Sequence, residues 1–179
     1  MREKDMFLEL DQIARKLDEI YLPLEQEGIT GMRLPPQCDS STCIQALEKA
    51  QETLGVKFPL ALSRLVCKFK FGEFKVYSTC FNAKRDYASE LVRLNGTDEY
   101  GGKLWPGEAR PANLIVFAAG DPWIFLLDCA DGAIYAWLLG DEELCGRRVA
   151  SDFERFFRAL ASVGIARLNE QAMPSAEDI

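Results

Sequence analysis

Residues 114–139 read LIVFAAGDPWIFLLDCADGAIYAWLL and alternate short apolar segments with turn residues. Three segments have the length and composition of buried strands: Leu114 to Ala118, Trp123 to Cys129 and Ala133 to Leu139. Gly120-Asp121-Pro122 separates the first two segments. Asp131-Gly132 is a hairpin signal, because glycine adopts positive φ at no steric cost. The stretch therefore predicts an antiparallel meander.

Helical patterns flank this meander on both sides. Apolar residues recur at helical spacing in four segments, which are Met6 to Tyr21, Thr42 to Leu54, Phe58 to Phe69 and Ser151 to Leu160. The first helix is expected to close before Pro23, the second to begin with the capping box Thr42 to Gln45, and the last to end near Gly164.

Two weaker patterns lie between the helices and the meander. Alternation with period two between Phe69 and Cys80 predicts a strand pair or one bulged strand, and Tyr87 to Leu94 predicts a short helix. Because helices gather at the two ends and strands in the middle, the predicted fold class is α+β, with a mostly antiparallel central sheet flanked by helices.

The length of the chain fits one domain. A domain of 179 residues buries about 70% of the surface of its unfolded chain. We expect residues 1–168 to form a single domain with the N-terminal helix, residues 6–21, packed on it. Residues 169–179 are polar and acidic and are expected to form a flexible tail.

The charge balance argues against several partners. Twenty-one basic against 28 acidic residues give a net charge of -7, so the electrostatic attraction on which nucleic-acid binding depends is missing, and no strong basic patch replaces it.

No apolar run approaches the roughly 18 residues of a membrane span. Acidic residues interrupt the start of the chain, so we expect no export signal there. We expect a cytoplasmic protein that binds neither nucleic acid nor membrane.

The residue types for common catalytic sites are missing. The chain has no histidine, which excludes Ser-His and Cys-His nucleophiles. Its six cysteines lack zinc-site spacing and are expected to be reduced in the cytosol. Asp121, Asp128 and Asp131 lie at turns or a strand end, where aspartate usually bonds to the backbone rather than to a metal. We predict no catalytic residue, no metal and no cofactor, and hence a non-enzymatic protein.

Three segments, in order and spacing, resemble the SUKH superfamily, which includes yeast Smi/Knr-like proteins and bacterial immunity proteins. Leu54 to Pro59 is similar to the segment that separates two helices in the family. Ile115 to Asp128 is similar to its central strands. Val149 to Phe156 resembles the start of its closing helix. The resemblance covers roughly Ser41 to Leu160. It departs at Phe71-Gly72-Glu73, where many relatives carry Asn-Gly-Gly.

The resemblance implies a function in protein binding. Immunity proteins of this kind bind and neutralise a cognate toxin, here a secreted toxin domain, and commonly present an acidic surface to it. The candidate contacts are the acidic residues Glu73, Asp141, Glu142 and Glu143, with Trp105 as an apolar anchor. The alternative is a small-ligand-binding or regulatory scaffold protein that uses a cleft beside the sheet.

The three tryptophans differ in their surroundings. Trp123 and Trp137 lie within apolar strand segments, so core positions are expected for both. Trp105 lies in a loop rich in glycine and proline, where a large aromatic side chain either tucks under the loop or contacts a partner.

Overall fold

The computed structural model describes residues 6–71, 74–76, 78–82, 86–96, 110–138 and 146–171. The helices in these residues are α1 (Leu10–Glu25), α2 (Ser40–Leu54), α3 (Leu60–Lys68), α4 (Tyr87–Asn95) and α5 (Phe153–Gln171). The strands are β1 (Phe74–Val76), β2 (Thr79–Asn82), β3 (Leu114–Gly120), β4 (Trp123–Asp128), β5 (Ile134–Leu138) and β6 (Arg147–Ala150).

The strands form one six-stranded sheet in the order β1 to β6, and each pairs antiparallel with its neighbours in sequence. The predicted α+β class and the meander β3-β4-β5 are confirmed. At the predicted hairpin, Gly132 has φ 81°, and the backbone N–H of Ala133 donates to Asp131 Oδ1 at 2.8 Å. Sequence reasoning missed β6, because its first three residues are exposed and carry no alternation that would indicate a strand.

Four predicted helix boundaries are wrong. α1 begins at Leu10 rather than at Met6, and it continues through Pro23 to Glu25. α2 begins at Ser40, because Asp39 caps it by accepting from the N–H groups of Ser41 and Thr42, so the cap precedes the predicted box. α5 continues through Gly164 to Gln171, which makes residues 169–171 helical rather than part of a tail. A glycine inside a helix lowers its stability by only about 1 kcal/mol, which the packing of a buried face can outweigh.

An aromatic cluster joins the first strands of the sheet to α5. The Phe71 ring lies 5.1 Å from Phe74 and 5.8 Å from Phe157, and Phe81 lies 5.7 Å from Phe157. Phe117 of β3 contacts Phe153 at 5.2 Å with an edge-to-face geometry, which is favoured by the charge distribution of the rings. The cluster lies at the centre of the core.

The N-terminal segment packs on α5. Ile13, Leu17 and Tyr21 of α1 are buried in the main core. Ahead of the helix, Leu8 N–H donates to Ser162 Oγ at 2.9 Å, and the buried Arg158 donates from Nε to the Leu8 carbonyl at 2.9 Å. These bonds satisfy backbone groups that precede the first helical turn.

Asn95, at the end of α4, completes the edge of β3. Its amide Nδ2 donates to the Val116 carbonyl at 2.7 Å, and its Oδ1 accepts from Val116 N–H at 2.8 Å. The side chain thus makes the two bonds that a neighbouring strand would make, at a point that the short pairing between β2 and β3 leaves unpaired. α4 is thereby fixed beside the sheet.

None of the helices in the described part of the chain is long and apolar enough to cross a membrane.

The burial of leucines along α3 gives a test of this core. Leu65 is 1% exposed, whereas Leu60 of the same helix is 61% exposed. We expect Leu65→Ala to lower the free energy of unfolding by about 2–5 kcal/mol, because it leaves a cavity. Leu60→Ala, the matched control, should change it by less than about 0.5 kcal/mol. Urea denaturation measures both, and equal effects would contradict the packing of α3.

Candidate functional site

A groove of about 1000 Å³ lies between α2 and α4. We call it the α2–α4 groove. Its lining is mostly apolar and includes Cys43, Ala46 and Ala50 of α2, with Tyr87, Ala88 and Val92 of α4. An apolar lining with a few polar groups is the usual composition of a ligand or partner site.

The rim of the α2–α4 groove carries both signs of charge. Lys49, Lys70 and Arg93 contribute positive charge, and Asp39 and Asp86 contribute negative charge. Both aspartates cap helices, since Asp39 precedes α2 and Asp86 precedes α4. Hydrogen bonds from the hydroxyls of Thr42 and Ser41 hold the pKa of Asp39 well below its usual value. It is therefore negatively charged throughout the physiological range.

Beside the groove, α4 holds a buried ion pair. Glu90 is 3% exposed, and its carboxylate accepts two bonds of 2.7 Å from Nε and Nη2 of Arg93. The bidentate geometry compensates for the loss of water around the carboxylate. This pair was not predicted, although an acidic and a basic residue three positions apart on a predicted helix are the signal for it.

Tyr87 lies deeper in the groove wall. Its hydroxyl donates to the Phe117 carbonyl at 2.8 Å. Burial, with a smaller contribution from nearby Glu90, raises the pKa of Tyr87 well above its usual value. The hydroxyl is therefore protonated at neutral pH and links α4 to β3.

All five predicted contact residues, Glu73, Trp105, Asp141, Glu142 and Glu143, lie outside the described residues. Their part in binding stays a prediction.

Of the other two tryptophans, Trp137 is 4% exposed and belongs to the core as expected. Trp123 is 44% exposed, so the expectation that it is a core residue is wrong. It begins β4 on the exposed side of the strand alternation.

Two of the three aspartates considered as metal ligands bond to the backbone. Asp128 Oδ1 accepts from Ala130 N–H at 2.8 Å, in the same way that Asp131 accepts from Ala133. Among the described residues, no group of three or more cysteine, aspartate or glutamate side chains could hold a metal ion.

These features define a class of protein, an α+β domain with an antiparallel meander and helices that flank it. A groove lies between two of these helices, α2 and α4. Residues 44–159 match the SMI1 / KNR4 family (SUKH-1), and the chain belongs to this family. The match agrees with the range over which the motifs resemble the superfamily. No curated protein matches the chain.

The buried ion pair of α4 can be tested by removing its cation. Arg93→Met should lower the free energy of unfolding by about 2–3 kcal/mol, because Glu90 is left buried without the counter-charge of Arg93. The destabilisation is smaller than for a fully buried pair, because Arg93 is partly exposed. Arg64→Met, on the exposed side of α3, is the control and should have little effect. Adding Glu90→Leu to Arg93→Met should recover much of the loss in thermal or urea denaturation. A double variant less stable than Arg93→Met would contradict the account.

Proposed function

We propose that this protein is a non-enzymatic interaction module, and specifically an immunity protein that binds and neutralises a cognate toxin. The observation that carries the proposal is the family match over residues 44–159, because proteins of this kind include toxin immunity proteins. The net charge of -7 is consistent with a partner of basic surface, since complementary charge accelerates encounter and favours the correct partner.

In this proposal, Asp141, Glu142, Glu143 and Glu73 attract the toxin, and Trp105 anchors it. Charged residues at the rim of an interface act mainly on the association rate, whereas a buried aromatic anchor acts mainly on the dissociation rate. The two roles can therefore be measured separately once the partner has been identified.

Isolation of the complex from the native host, followed by mass spectrometry, identifies the partner. A large toxin gene immediately upstream would point to the same protein.

Reversal of two acidic charges tests the steering. With the toxin immobilised, we expect Glu142→Lys combined with Glu143→Lys to slow association by about tenfold at low salt and to weaken its salt dependence. The matched control is Glu48→Lys with Glu52→Lys, on the exposed side of α2, which changes the net charge by the same amount. If both double variants slow association equally, net charge rather than a local surface attracts the partner.

Removal of the aromatic side chain tests the anchor. Trp105→Ala should raise the dissociation rate by tenfold or more and leave the association rate nearly unchanged, as the loss of about 2 kcal/mol at a hot spot requires. Trp123→Ala, at the exposed start of β4, is the tryptophan control. An unchanged dissociation rate for Trp105→Ala would remove this residue from the interface.

The α2–α4 groove supports a second function, that of a small-ligand-binding protein. Its volume of about 1000 Å³ lies at the upper end of the range for small-molecule sites. Ala46→Arg would fill the groove, whereas Ile44→Arg places the same charge on an exposed position of α2. Ligand binding measured by calorimetry should be lost only in the first variant. Toxin binding that survives Ala46→Arg would separate the groove from the immunity function.

A further inference from the structure

Two thiols meet where α2 packs against α3. The sulfur atoms of Cys43 and Cys67 lie 3.1 Å apart, and the Cys67 thiol donates to Cys43 Sγ. The Cys43 thiol in turn points at the Val66 carbonyl at 3.6 Å. Cys43 is buried and Cys67 is partly exposed. The two residues are 24 positions apart in the sequence, so their proximity results from the packing of the helices.

The separation of the sulfurs is close to a bonding distance. A disulfide has an S–S bond of about 2.05 Å, so the two sulfur atoms need to approach by only about 1 Å. Each cysteine lies inside a helix rather than in a loop. The backbone therefore holds the two side chains near each other, and side-chain rotation can supply the remaining movement.

We propose that Cys43 and Cys67 are a modification site, at which a low-molecular-weight disulfide oxidises the pair to a reversible intramolecular disulfide. This site is independent of the immunity proposal.

The reaction is a pair of thiol–disulfide exchanges. One cysteine loses its proton to solvent and attacks a sulfur of the oxidant, whose S–S bond breaks and whose second sulfur leaves and takes up a proton. The other cysteine then loses its proton and attacks the protein sulfur of the mixed disulfide, displacing the remaining half of the oxidant as a thiol. The two cysteines give up two electrons, and one oxidant disulfide becomes two thiols.

The surroundings of the pair make its exchange with an oxidant disulfide slow at neutral pH. Burial, together with the contact to Cys43, raises the pKa of Cys67 to about 12, so little of the reactive thiolate is present at neutral pH. The exchange is therefore expected to become faster as the pH rises and more of the thiolate forms. Access is available from two sides, since Cys67 is partly exposed and Cys43 lines the α2–α4 groove.

Oxidation would fix one wall of the α2–α4 groove. The bond would join α2, which forms that wall, to α3 beneath it, and would close a loop that includes the turn at Gly55. By restricting the unfolded chain, such a cross-link raises the midpoint of thermal unfolding, here by about 5–10 °C.

The test is oxidation of the folded, full-length protein by millimolar oxidised glutathione, followed by acid quenching and tryptic peptide mapping. Cleavage after Arg33, Lys49, Arg64 and Lys68 places Cys43 in peptide 34–49 and Cys67 in peptide 65–68. Peptide 34–49 also contains Cys38, so the mapping is done in the Cys38→Ser variant. We expect the two peptides to be joined and two thiols to be lost.

Cys43→Ser and Cys67→Ser should each abolish the cross-link, and Cys43→Ala and Cys67→Ala replace them if a serine variant does not fold. Cys129→Ser, on the turn after β4, is the control and should form the cross-link as the parent does. Dithiothreitol should reverse the bond and the rise in the unfolding midpoint. Failure to join these peptides in folded protein, preferential pairing with other cysteines, or a cross-link that lowers the midpoint would each overturn the proposal.

Discussion

The packing of aromatic rings between the sheet and α5 is the constraint on which the rest of the fold depends. Phe74 and Phe81 lie in β1 and β2, Phe71 precedes β1, and Phe157 lies in α5, yet their rings lie within about 6 Å of one another. Each such ring buries roughly 150–250 Å². Once α5 is held in this way, its outer side receives α1 and the extended residues before it, through contacts such as that of Arg158 with the Leu8 carbonyl.

The position of the α2–α4 groove depends on a second set of contacts, those between α4 and β3. Asn95 and Tyr87 bond α4 to the backbone of β3, and Arg93 neutralises the carboxylate that α4 buries. These bonds fix α4 against the sheet, and residues of α2 and α4 share the main core, so the groove between the helices is formed by regular, well-packed elements. A site on such elements keeps its shape better than one on loops, which makes it suitable for recognition of one partner.

The evidence for the fold of this protein differs from the evidence for its function. The family match covers α3, α4, the strands of the sheet, most of α2 and the start of α5, and the matching motifs are core and turn patterns. Such patterns specify packing, whereas binding depends on particular surface residues, and the same fold can carry different surfaces. The acidic residues and Trp105 that the sequence suggests for binding lie in segments whose structure is not described, so the proposed immunity function is based on the family match and the net charge.

The sequence by itself determined the local structure: the meander, the hairpin at Asp131-Gly132, the end of α2 at Gly55 and the absence of histidine chemistry. These depend on neighbouring residues, through periodicity, capping and the conformational freedom of glycine. Only the tertiary structure decided that Asn95 substitutes for a strand beside Val116, that Cys43 meets Cys67, and that β6 completes the sheet. Each of these joins segments that are distant in the chain or depends on pairing rather than on composition. Because side chains far apart in sequence meet only when the core assembles, no local pattern encodes their contact.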